Sequence, residues 1–226
     1  MMGSGMKGYE VQRTWTRREW LAHCTVLAAG LPFSAASANT ARRVILVVGD
    51  SLSAEYGLKR GSGWVALLEQ RLARERIDAS LVNASISGDT TSGGRSRLGP
   101  LLREHKPSHV IIELGGNDAL RGLPLESTRK NLVEMSRASR TAGAKVVVVG
   151  MQVPPNYGRQ YSDEFATLFT TVAKAEGAAL VPFLLKGVAD GPKADQLFQS
   201  DRIHPTEAAH PTMLDNVWPV LKPLLN

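Results

Sequence analysis

A single cysteine stands in the 226 residues, Cys24, and it falls within the first 38. Once those residues are removed the chain has no thiol, which excludes disulfides, cysteine-ligated metal and a thiol nucleophile and leaves stability to core packing alone. Also missing are the H-E-x-x-H pattern of zinc hydrolases and the G-x-S-x-G elbow of the commoner α/β-hydrolase fold. Aromatic residues make up only 6%, and the basic residues are scattered among acids, so no aromatic-interleaved basic stripe suggests nucleic acid. The formal charge of +6 becomes +4 without residues 1–38, which carry Lys7, Arg13, Arg17 and Arg18 against Glu10 and Glu19. No apolar run reaches the ~20 residues of a membrane span, and no internal repeat or interdomain linker is visible. What remains is ordinary globular composition, 43% apolar and 21% charged, at a length that suits one domain and an export segment.

The export segment is residues 1–38. Arg17-Arg18 is followed by Trp20-Leu21, a twin-arginine pattern. A weakly apolar stretch from Leu21 to Phe33, interrupted by His23, Thr25 and Gly30, leads to Ala36-Ser37-Ala38, a small-residue cleavage site. Cleavage after Ala38 and a periplasmic or secreted product are expected, without a stable membrane span. His23 before Cys24 speaks against lipidation, and the residues before Thr14 carry no readable signal.

From residue 39 onward, apolar runs alternate with amphipathic stretches. Strands are expected at Arg43–Val48, Ser80–Ala84, Val110–Leu114, Lys145–Gly150 and Ala179–Pro182. Between them, Trp64, Leu67, Leu68 and Leu72 recur at helical spacing, as do Leu132, Met135, Ser136 and Ser139, and Phe165, Leu168, Phe169 and Val172. A last helix is expected from about Thr206 to Leu224, disturbed at Pro211 and Pro219. This alternation predicts a single α/β domain of three layers, a five-stranded parallel sheet in the flavodoxin-like order 2-1-3-4-5 covered on both faces.

Such sheets bind ligands at the C-terminal ends of their strands, and the polar residues cluster there. Val44–Val48 runs into Gly49-Asp50-Ser51, placing a hydroxyl at the first strand's tip. Ser87-Gly88-Asp89-Thr90 follows the second strand and Gly115-Gly116-Asn117-Asp118 the third, while Asp201 precedes His204 by three residues near the C-terminus. Each block has a plainer reading: Ser51 as a helix N-cap, Asp89 or Thr90 as another, the glycine–asparagine block as a turn, Asp201 to His204 as a surface turn. Convergence of three blocks at one sheet edge favours a shared site. Gly61-Ser62-Gly63-Trp64-Val65-Ala66 imitates a dinucleotide fingerprint, but the strand ends a dozen residues earlier and no acid closes the second strand.

In this order, Gly49-Asp50-Ser51-Leu52-Ser53, Asn83 to Thr91, Glu113 to Gly122 and Pro154-Pro155-Asn156-Tyr157-Gly158 resemble the GDSL/SGNH hydrolase superfamily. They are most similar to its multifunctional thioesterase I, arylesterase and lysophospholipase branch, and the resemblance runs from about Arg43 to Leu225. It implies a serine esterase acting on acyl esters, thioesters or lysophospholipids, with Ser51 as nucleophile, His204 as general base and Asp201 orienting the imidazole. It further implies an oxyanion hole from the N–H groups of Ser51 and Gly88 and the amide of Asn117, and substrate contacts from Gly116, Met151 and Val153. No metal or other cofactor is called for, the partner is a small ester or lipid, and a monomer is expected. Glu55 and Arg202 stand where the branch often has glycine, which touches the rim of the site rather than its chemistry. Two alternatives compete: a carbohydrate O-deacetylase of the same superfamily, and a binding module that lost catalysis.

Overall fold

Val44–Val48 has no polar side chain on either face, a pattern that only a strand covered on both sides tolerates. The computed structural model describes residues 43–226; the twin-arginine pattern, the apolar stretch and the cleavage site lie outside the described residues. The run forms β1 (Arg43–Gly49), flanked in parallel by β2 (Ala79–Asn83) and β3 (His109–Glu113), with β4 (Lys145–Val149) beside β3 and β5 (Ala179–Val181) at the edge. The order is β2-β1-β3-β4-β5, as expected, and each strand end lies within one residue of its expected place.

Alternate side chains serve two cores. Ile45, Val47, Ile111 and Val147 pack against α1 (Trp64–Arg74) and α7 (His210–Leu221). Leu46, Val48, Val110, Ile112 and Val148 pack against α2 (Thr91–His105), α4 (Leu125–Thr141) and α5 (Arg159–Glu176). Two short helices, α3 (Gly116–Leu120) and α6 (Ala194–Leu197), lie in the loops after β3 and β5. Gly94 lets α2 approach closely, since a Cβ there would stand 2.2 Å from Leu114 Cδ1.

The C-terminal helix differs from expectation. It divides into a 3-10 turn at Glu207–Ala209, α7, and a second 3-10 turn at Lys222–Leu225. Pro211 is tolerated in the first turn of α7, where no N–H is required, whereas Pro219 withholds a donor and the chain tightens beyond it.

Two histidines with no evident partner in the sequence turn out to be structural. His210 Nδ1 accepts the Trp64 N–H at 2.9 Å, capping α1 from the far end of the chain, and burial holds this imidazole down at about 4. His109 lies between Ser108 Oγ and the Leu224 carbonyl, both at 2.9 Å. Among the described residues no helix is long and apolar enough to cross a membrane.

Candidate active site

Ser51 begins a tight turn after β1, but Asp50 caps it. Asp50 Oδ1 accepts the Leu52 N–H at 3.0 Å and the Asp50 carbonyl accepts from Ala54 at 2.9 Å, leaving the Ser51 hydroxyl free for another partner. That partner is His204, whose Nε2 lies 2.9 Å from Ser51 Oγ. His204 Nδ1 in turn lies 2.6 Å from Asp201 Oδ2. Three residues separate acid and histidine because they share one turn: Asp201 Oδ1 accepts the N–H groups of Ile203 at 2.9 Å and His204 at 3.0 Å. The His204 N–H first, then its imidazole and the Ile203 N–H, hold the Asp201 carboxyl down at about 2. The Tyr56 ring lies 4.3 Å from the imidazole, centroid to centroid, covering one of its faces.

The loop after β2 carries Gly88 at φ +78°, a left-handed conformation that suits glycine, and Arg121 Nη2 donates to its carbonyl at 2.8 Å. Thr90, rather than Asp89, caps α2 by accepting from Gly93, and Asp89 instead pairs with Arg97 at 2.8 Å. Within the described residues the amides of Ser51 and Gly88 have no hydrogen-bond partner. Asn117 lies in the first turn of α3, and its Nδ2 donates to Asp50 Oδ2 at 3.0 Å, leaving one amide proton available. Asp118, next in sequence, is buried and accepts from Thr91 N–H at 2.8 Å and Thr91 Oγ1 at 2.5 Å, tying this block to α2.

Beneath the serine lies a carboxyl pair that motif reading does not single out as a unit. Asp50 is 3% exposed and Glu113 2%. Glu113 Oε2 accepts from Ser53 Oγ at 2.7 Å and the Asp50 N–H at 3.3 Å. Burial pushes the Asp50 carboxyl up to about 6 against hydrogen bonds from Leu52 and Asn117, and burial plus the neighbouring Asp50 charge push Glu113 well above the carboxylate range. Gly49 makes room, since a Cβ there would stand 2.8 Å from Glu113 Oε2.

Gly116 and Met151 lie beside this pair. A Cβ on Gly116 would lie 3.7 Å from Asp50 Oδ2 and 3.9 Å from Met151 Cγ. Met151 is half-buried and touches both cores, while Val153 packs on the α2–α4–α5 side. Glu55 and Arg202 both sit at positive φ, +60° and +57°, which gives a physical reason for glycine at such positions. Glu55 offsets its strain: its carboxylate accepts the N–H groups of Gly61 at 3.0 Å and Gly63 at 2.8 Å, so the glycine pair that imitates a nucleotide loop binds this side chain. A hollow of about 390 Å³ between α4 and α5 includes none of these residues. Among the described residues no cluster of three His, Cys, Asp or Glu side chains could hold a metal ion.

Comparison with known proteins finds relatives along most of the chain. The chain is 52% identical to esterase TesA of Pseudomonas aeruginosa over 187 residues, 83% of this chain and 92% of that protein. It is 39% identical to thioesterase 1/protease 1/lysophospholipase L1 of Escherichia coli over 196 residues, 87% of this chain and 89% of that protein. The crystal structure of TesA superposes with a TM-score of 0.78, covering 80% of this chain and 99% of that one. Residues 47–211, from the middle of β1 to the start of α7, match the GDSL-like lipase/acylhydrolase family. The chain therefore belongs to that family and is a carboxylic ester hydrolase.

Proposed function

We propose that the chain is a serine esterase hydrolysing carboxylic acyl esters and thioesters through an acyl-enzyme on Ser51. The 2.9 Å contact between His204 Nε2 and Ser51 Oγ, with Asp201 behind the ring, carries this reading. Ser51 Oγ attacks the acyl carbonyl while Nε2 takes its proton. The oxyanion is stabilised by the N–H groups of Ser51 and Gly88 and by Asn117 Nδ2. On collapse His204 returns the proton to the departing alcohol or thiol, and water repeats the sequence to release the acid. A fluorophosphonate should add one phosphonyl group to the wild-type protein and none to Ser51→Ala, read by intact mass. An unmodified wild type would overturn the assignment.

An amphiphilic substrate fits the rim. The large apolar side chains exposed among the described residues are Tyr56, Ile86, Leu120, Tyr157 and Ile203. Each follows a different strand, so all five lie in loops at the sheet edge that carries Ser51. The E. coli relative, whose name joins thioesterase and lysophospholipase, supports the same breadth. With Met151 and Val153 bordering the acyl path, each added CH₂ should be worth up to ~0.8 kcal/mol until the groove ends. In a p-nitrophenyl ester series kcat/KM should therefore rise from acetate toward medium chains. Val153→Asp should depress octanoate hydrolysis far more than acetate hydrolysis. Equal losses would assign Val153 to the fold alone, and an optimum at acetate with activity on acetylated xylan would favour the deacetylase reading.

A further inference from the structure

We propose that Asp50 is a positioning residue for hydrolysis, its carboxylate selecting the one orientation of the Asn117 amide that aims an N–H at the oxyanion. The inference rests on the reading of Asn117 as an oxyanion donor. A primary amide is nearly symmetric in shape, and its two ends differ only in donating or accepting. Half-buried at the start of α3, Asn117 could turn either end to the substrate. With the oxygen outward it would oppose the developing negative charge.

Asp50 removes this ambiguity. An ionised carboxylate accepts and cannot donate, so Oδ2 at 3.0 Å from Asn117 Nδ2 admits only the nitrogen end. The other oxygen is committed to the Leu52 N–H at 3.0 Å, and at 3% exposure the carboxylate is shielded from competing water. The nucleophile is the next residue in the chain, so Asp50 relates Ser51 to a donor that lies 67 positions beyond Asp50 itself.

Glu113 supports this selection by staying neutral. Two buried charges in contact would repel, and the deeper carboxyl, held by Ser53 Oγ and the Asp50 N–H, keeps its proton. Asp50 thereby remains the acceptor-only partner that Asn117 requires. A neutral Asp50 could donate to the oxygen of a flipped Asn117, and the selection would be lost.

The test is a double-mutant cycle on steady-state hydrolysis of p-nitrophenyl butyrate, with melting temperatures as the control for folding. Asp50→Asn keeps the shape and removes the charge. It should lower kcat ~10–100-fold, the usual range for a supporting partner behind a functional group, and leave KM nearly unchanged. In an Asn117→Ala background the same change should cost nothing further, because no amide remains to be aimed. Glu113→Gln, a neutral mimic of the protonated acid, should keep kcat within a few-fold of wild type. Losses that multiply across the cycle would overturn the inference while leaving Asn117's role intact, whereas an Asn117→Ala variant with normal kcat would overturn the oxyanion reading itself. Should Asp50→Asn not fold, Glu113→Gln decides, since a tenfold or greater fall in its kcat would place the charge on Glu113.

Discussion

Ser51→Ala is expected to lower kcat for an aryl ester by about 10⁶-fold, the scale on which loss of a triad nucleophile is felt. His204→Ala should cost a comparable factor. The double variant should be scarcely worse than either single one, since proton transfer and attack are one event across the 2.9 Å contact between Nε2 and Oγ. Retained activity in Ser51→Ala, or losses that multiply in the double variant, would sink the assignment. Asp201→Asn belongs to the same experiment with a milder result. An asparagine there would present an amide to His204 Nδ1 and favour the wrong tautomer, which costs about 10⁴-fold in a buried triad. Here Asp201 is partly exposed, Tyr56 covers the ring, and the Asp201–His204 turn is also held by two main-chain N–H groups. The ring stays aimed by other means, and a fall of about 10²–10³-fold is expected.

How far these residues were readable from sequence depends on what each contact is made of. The central strands show themselves because a strand covered on both faces is apolar through its middle, as Val44–Val48 of β1 and Val110–Ile112 of β3 are. Ser51, Gly88 and Asn117 were reachable because each follows a parallel strand, and topology alone brings those loops to one edge. The contact between His204 and Ser51 spans 153 positions, so residue chemistry and the resemblance of the blocks point to it where local spacing does not. Glu113 illustrates the opposite case: it is an acid within an expected apolar strand, with no sequence signal for its surroundings, yet it is 2% exposed beneath the nucleophile. Its burial depends on Gly49, opposite it in β1, leaving room and on Ser53 in the turn beyond donating to it, a side-chain fit that periodicity does not encode. His210 was equally silent, since its role as a cap for α1 depends on where α7 docks. The departures at Glu55 and Arg202 were visible as residues, but their meaning lay in positive φ, which local sequence only suggests.

Asn117→Ala is expected to lower kcat by ~10²–10³-fold, about 2.7–4 kcal/mol of transition-state stabilisation, with KM little changed. The asymmetry follows from what the amide contacts at each stage. A ground-state ester oxygen is weakly charged, and most of the gain from a neutral donor appears only as the oxyanion forms. In the free protein one Asn117 proton is already held by Asp50 Oδ2 at 3.0 Å, so the group is oriented before substrate arrives and loses little entropy in the reaction. The fold should survive, because α3 is anchored by its neighbour: Asp118 binds Thr91 through both N–H and hydroxyl, and Thr128 Oγ1 reaches the same carboxylate at 3.3 Å. Truncation leaves Asp50 Oδ2 without its protein donor, a cost of roughly 1–3 kcal/mol if no water replaces the amide. Melting should therefore shift modestly while kcat collapses. A change confined to KM would make Asn117 a substrate-binding residue rather than an oxyanion donor. A collapse in melting temperature matching the loss of activity would make it a structural one, and only the expected division between kcat and KM assigns the amide to the transition state.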